Sequence, residues 1–214
     1  MYELPLFPLN TVLFPGMPLP LRIFEPRYKE MIGVCIREKR PFGVVLIREG
    51  KAQHGPLAVP HAIGCTAQIT QVEPLEDGQF AILSVGQERF RIHSLKKDKA
   101  YLVGMVENTP LLNEPETKLT SNAKCLRALV GEYLEILARA SGQRFDAKAQ
   151  VPSQPIDLIY LAASVLQTTN DNKQKLLSQD YPSQLLSTLT NLFSQEVALL
   201  RVMPKEDLGA FSVN

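Results

Sequence analysis

The sequence predicts an α+β protein, with a β half of short strands closed into a small barrel or folded sheet, followed by an all-α helical bundle. Three observations carry this. The apolar stretch from Leu4 to Tyr28 is interrupted by Pro5, Pro8, Pro15, Pro18 and Pro20, which no helix tolerates. The run from Ile63 to Ile69 alternates, and Asp77-Gly78 follows it as a hairpin signal. After the linker Pro110–Pro115 the apolar period changes from two to that of a helix.

Taken in order, residues 4–28 must be short extended segments joined by corners. Pro15-Gly16 marks the tightest corner, where glycine is free to adopt positive φ. Proline is confined in sheets to edges, strand starts and bulges, so this arm is expected along a rim. There it would bury Leu6, Leu9, Val12, Phe14, Leu19, Leu21 and Ile23. Pro26 to Lys39 follows as a helix, because Tyr28, Met31, Ile32, Cys35 and Ile36 recur at helical spacing. Pro26 suits its first position, and Pro41 and Gly43 end it. Phe42 to Ile47 is continuous and apolar, which predicts a strand buried on both faces. Arg48 to His61 is polar and reads as a surface loop.

Ile63, Cys65, Ala67 and Ile69 share one strand face. Phe80 to Val85 is the return strand. Gly86 permits a bulge or tight link into Arg89 to Ser94, where Phe90 and Ile92 face inward, and Tyr101 to Glu107 adds a last strand. Beyond the linker, Leu119, Ala123, Leu126, Val130, Tyr133, Leu134 and Leu137 form one helical stripe. Pro152 and Pro155 precede a second helix carrying Ile156, Ile159, Tyr160, Ala163 and Leu166, and a short third spans 172–178. Asp180 or Ser183 can cap a fourth, whose stripe runs from Leu185 to Leu200. The domains expected are residues 1–112, a four-helix region over 113–204 and a loose tail over 205–214.

Composition restricts function. The 23 basic and 22 acidic residues give a net charge of +1, which argues against a dominant nucleic-acid surface. Cys35, Cys65 and Cys125 lie apart among apolar neighbours and read as buried reduced thiols, which points to the cytoplasm. The N-terminus has no cationic region and prolines break the apolar run behind it, so neither a signal peptide nor a membrane span is expected.

The stretch LPLFPLNTVLFPGMPLPLRIFEPRY closely resembles the opening of the Lon amino-terminal domain family, the substrate-recognition module of the ATP-dependent protease Lon. A second block, IGCTAQITQVEPLEDGQFAILSVGQERFRI over 63–92, resembles that family's second signature, with its Gly64-Cys65-Thr66 entry, Asp77-Gly78 turn and Gly86-x-x-Arg89-Phe90 ending. The KQKLLSQ wording near residue 175 is similar to the same part of Lon. The resemblance implies a PUA-like pseudo-barrel. It also implies a non-catalytic module that binds unfolded or damaged polypeptide, or recruits it to an ATP-dependent protease in trans.

Machinery for other chemistry is absent from the sequence. There is no GxxxxGK[ST] phosphate loop to cradle ATP, and no counterpart of the Lon Ser and Lys pair; Ser94 with Lys96 is a chance neighbour. His54, His61 and Cys65 match no zinc spacing, and His93 ends a strand as a surface residue. No catalytic residue, metal or cofactor is therefore assigned. The candidates for peptide contact are Phe7, Phe14, Met17, Arg22, Phe24, Glu25, Arg27, Tyr28, Arg89 and Phe90. For the charged ones the favoured reading is structural, with Glu25 pairing to an arginine to lock the arm onto the barrel. A rim of strand-edge groups and apolar pockets would take an unfolded chain, and the cleft between barrel and bundle would be the groove. The alternative is a PUA-like RNA-binding protein using Arg89, Arg91, Lys96, Lys97 and Lys99.

Overall fold

The structure is a computed structural model and describes residues 1–50, 58–143 and 146–202. The histidine expected at position 54 and the tail from 203 onward lie outside the described residues. Seven strands and six α-helices are present among them: β1 (Tyr2–Leu9), β2 (Pro18–Ile23), α1 (Pro26–Glu38), β3 (Phe42–Glu49), β4 (Val59–Pro60), β5 (Ile63–Pro74), β6 (Phe80–Lys96) and β7 (Leu102–Asn108), then α2 (Glu116–Ala140), α3 (Ala147–Gln150), α4 (Pro155–Val165), α5 (Asn170–Leu177) and α6 (Pro182–Val202).

The strand order β1-β7-β6-β5-β3-β4 is closed by a β1–β3 pairing, and β2 is added beside β6. β1 is antiparallel to β7 through Tyr2–Leu6 and parallel to β3 through Leu6–Leu9. The prolines of β1 were expected to hold it at a rim, yet the strand lies inside the ring. Only Leu6 is paired on both sides, so Pro5 and Pro8 each sit where one flank makes no demand for an N–H.

The two faces of this sheet build two cores. Leu4, Leu6, Val45, Phe90, Leu102 and Val106 fill the barrel interior. Phe42, Val44, Cys65, Ala67 and Val103 face the other way, toward Tyr28, Met31, Ile32 and Cys35 of α1. The continuous FGVVLI run is thus explained, since alternate residues enter different cores. Glycines make room inside the ring: a Cβ at Gly43 or Gly64 would lie 2.7 Å from the Phe90 ring. Lys39, with φ 52°, closes α1 by donating its N–H to Cys35 and Ile36 carbonyls.

β6 runs unbroken for 17 residues, where two strands were expected. Gly86 is nonetheless an irregular point, because the β5–β6 register shifts between Cys65/Arg89 and Ala67/Gly86. The turn after β5 is a single 3-10 turn over Glu76–Gly78, with Gly78 at φ 63°.

By packing, the chain divides into one unit of Met1–Pro110 with Gln167–Ser178, and a second of Leu111–Leu166 with Gln179–Asn214. The short helix α5, expected in the bundle, therefore groups with the sheet. Its buried Gln174 donates Nε2–H to the Ile63 carbonyl at 3.1 Å. In the second unit α2, α4 and α6 share a core that includes Leu126, Val130, Leu158, Ile159, Leu189 and Phe193. Tyr133 meets Phe193 edge to face at 5.1 Å. Arg201 pairs with both oxygens of Glu132 at 2.7 and 2.8 Å. Cys125, expected to be buried, is exposed on α2, one residue off the stripe that buries Leu126.

Candidate functional site

The corner between β2 and α1 is set by chemistry within the sequence. Leu19 and Ile23 point into the core, and Phe24-Glu25 then turns the chain so that Pro26 opens α1 without wasting a donor. Phe7 and Leu9 of β1 run beneath this corner. Together Phe7, Leu9, Leu21, Arg22, Ile23, Phe24, Glu25 and Tyr28 line a cavity of about 160 Å³. That volume suits one apolar side chain rather than a small-molecule substrate.

Its floor is aromatic and its rim is charged. Phe7 stacks on Tyr28 with ring centroids 4.1 Å apart. The Arg27 guanidinium lies over the Tyr28 ring at 4.7 Å and contacts Glu25 Oε2 at 2.8 Å. Burial raises the Tyr28 pKa; Arg27 opposes that and Glu25 adds to it, so the phenol stays neutral. Phe24 is 39% exposed at the mouth. Arg22 donates Nε–H to Gln79 Oε1 at 3.1 Å, which ties the mouth to the turn after β5.

Of the ten candidates, Phe7, Arg22, Phe24, Glu25 and Tyr28 line this cavity and Arg27 braces it. Glu25 does pair with an arginine, its near neighbour Arg27. Met17 is half-buried in the turn where its N–H meets the Phe14 carbonyl at 3.1 Å. Three candidates are corrected by burial. Phe14 and Phe90 are enclosed, and Arg89 is 2% exposed opposite Cys65, so none presents a surface to a ligand. Leu9, Leu21 and Ile23 were read only as core; their place at the cavity follows from the corner, which periodicity does not encode.

The strand-edge part of the expectation also changes. Gly86 donates its N–H to the Met17 carbonyl at 3.0 Å, which fixes the phase of the β2–β6 ladder. Leu19, Leu21 and Ile23 therefore turn their backbone groups to β6, and Pro18, Pro20 and Arg22 turn theirs outward. The outer edge of β2 carries three carbonyls but only the N–H of Arg22.

No group of three His, Cys, Asp or Glu among the described residues could hold a metal. Burial pushes the Cys65 thiol up to about 12, which disfavours the thiolate a metal needs. Lys96 pairs with Glu3, which raises its pKa, the reverse of what a general base requires. His93 hydrogen-bonds Glu107 at 3.0 Å on the surface. No helix among the described residues is long and apolar enough to cross a membrane.

The family model of the ATP-dependent protease La (LON) substrate-binding domain matches residues 3–195. The chain belongs to this family. Lon protease of Paraburkholderia phytofirmans is 28% identical over 196 residues, which is 90% of this chain and 24% of the relative. Lon protease of Parabacteroides distasonis is 27% identical over 204 residues, 95% of the chain and 24% of the relative. This Lon-family chain thus spans about a quarter of the length of these relatives. A Lon N-terminal domain protein from Xanthomonas campestris has a crystal structure that superposes with TM-score 0.66 at 27% identity, covering 95% of this chain and all of that one. The N-terminal domain of Mycobacterium avium complex Lon protease gives TM-score 0.69 at 19% identity over 90% of this chain and 98% of its own, a likeness of fold.

Proposed function

We propose that the chain is a non-catalytic recognition module that binds unfolded or damaged polypeptide by receiving an apolar side chain in the cavity at the β2–α1 corner. The observation that carries this reading is the cavity itself, with an exposed phenylalanine at the mouth and a stacked aromatic floor. An aromatic or branched side chain is held by burial there, and Arg22 and the Glu25–Arg27 pair at the rim can meet polar groups of the flanking backbone. One such contact is weak, which suits degenerate recognition of many sequences. Delivery of the bound chain to an ATP-dependent protease acting in trans extends this reading, since the relatives are Lon proteases of much greater length. A cytoplasmic setting fits the buried thiols Cys35 and Cys65. The RNA alternative keeps Arg91, Lys97 and Lys99 on the surface but not Arg89, which is buried, and its Lys96 is paired with Glu3.

The test is fluorescence anisotropy with a labelled polypeptide, reduced and carboxymethylated, against the same polypeptide in its folded form. The unfolded form should bind and the folded form should not. Phe24→Ala should weaken binding by about 5- to 10-fold, from the loss of roughly 1 kcal/mol of apolar contact, while the thermal midpoint holds. Equal or absent binding of both forms, or a fully active Phe24→Ala, would end the proposal.

A further inference from the structure

β2 pairs with β6 on one side, and no strand among the described residues pairs with its other side. It ends a three-stranded ribbon made with Phe80–Val85 of β6 and Ile69–Pro74 of β5. A strand in that position is a template for another chain, and above all for the same strand of a second copy. Here the template is incomplete. Of the outward-facing positions, Pro18 and Pro20 have carbonyls but no N–H, and only Arg22 has both.

We propose that Pro18 and Pro20 are edge guards, which keep β2 from pairing with β2 of a second copy. The constraint is stoichiometric. Two copies meeting edge to edge by antiparallel pairing must exchange an N–H and a carbonyl at each bonded position. Across this edge the two prolines supply no donor and each copy offers only the Arg22 N–H, so most carbonyls would face a carbonyl or an empty flank. Proline costs the native ladder nothing at these positions, because the alternate residues Leu19, Leu21 and Ile23 make the bonds to β6. The same spacing that leaves the inner ladder intact thus disarms the outer one. The opposite edge of the ribbon is limited by different means: the β5 register shifts between Ile69 and Gln71, and Pro74 removes a donor beyond it.

The experiment is the double substitution P18T/P20T, which restores both donors with residues suited to strands. Sedimentation velocity over a wide concentration range would be read beside circular dichroism and the thermal midpoint. The folded double variant should self-associate at least about tenfold more tightly than the wild-type chain, a modest fraction of what two restored donors on each of the two chains allow. Isotope-edited infrared spectroscopy of mixed labelled and unlabelled chains should then show intermolecular β pairing. The single variants P18T and P20T should each show a smaller shift, and they carry the test if the double variant does not fold. Folded variants that sediment like wild type would overturn the proposal. So would association without intermolecular β signal, or a wild-type chain already paired through β2.

Discussion

At Gly86 the strand β6 passes the arm so closely that a Cβ would lie 2.2 Å from the Phe14 carbonyl oxygen. Neither partner is a flexible side chain, so Gly86→Ala must displace backbone. We expect a loss of about 1–3 kcal/mol, measured by chemical denaturation. Gly33 is the internal contrast. It lies within α1, and an added methyl there would meet nothing within 4 Å, so Gly33→Ala should stabilise by about 0.5–1 kcal/mol through helix propensity. The thiols give a second residue-level test. Burial pushes Cys35 up to about 11 and Cys65 up to about 12, and both are enclosed, whereas Cys125 is exposed. A disulfide reagent at mildly alkaline pH should titrate Cys125 at once and the other two only after unfolding. The sequence announced Gly86 as a bulge or tight link, and the register does shift there, but the pattern did not report the close approach to Phe14. Its nearest constraint is Phe14, more than seventy positions away in the chain, and no local pattern reports that distance.

Elements were legible where their signals are local. The helical stripes of α2, α4 and α6, the proline start of α1 and the alternation of β5 all rest on neighbours within a few turns. Caps supplied from afar were not. The fourth helix of the bundle was expected to be capped by Asp180 or Ser183. From afar, Glu114 accepts from the Ser183 N–H at 2.7 Å and from its hydroxyl at 2.8 Å, sixty-nine residues apart in sequence. The carboxylate thus satisfies a first-turn donor of α6 and complements the positive end of the helix. Bonds from the Ser183 backbone and hydroxyl, with help from Lys118, lower the Glu114 pKa from its ordinary 4.5. A lowered native pKa means the stabilisation is fully present above the ordinary value and fades as pH falls through the native one. Glu114→Gln should therefore lower the thermal midpoint at neutral pH and flatten its decline in acid. A variant whose midpoint parallels wild type from neutral to acid pH would show that the contact contributes nothing.

At the scale of the molecule, chain order and packing order diverge. A cut near residue 112 follows the change from strand to helix period, which is the only boundary a sequence pattern can display. The sheet unit nevertheless recruits residues 167–178 from beyond that cut. α5 buries Leu176 and Leu177, and Gln174 reaches the Ile63 carbonyl. Asn170 donates Nδ2–H to the Asn10 carbonyl at 2.6 Å, and so fastens the loop between the two strands that frame the candidate cavity. A fragment of residues 1–110 should then be incomplete. Without α5 it leaves a patch that two leucines would have covered and a strand carbonyl without its amide partner, a deficit of about 2–5 kcal/mol. We expect it to bind a hydrophobic dye and melt well below the sheet unit of the intact chain. A synthetic peptide of residues 167–178, added in trans, should raise its thermal midpoint in a saturable manner. The same peptide with Gln174, Leu176 and Leu177 replaced by serine should not. If the fragment melts like the intact chain and ignores the peptide, α5 adds no stability to the barrel, and residues 1–110 alone suffice for the fold that shapes the cavity.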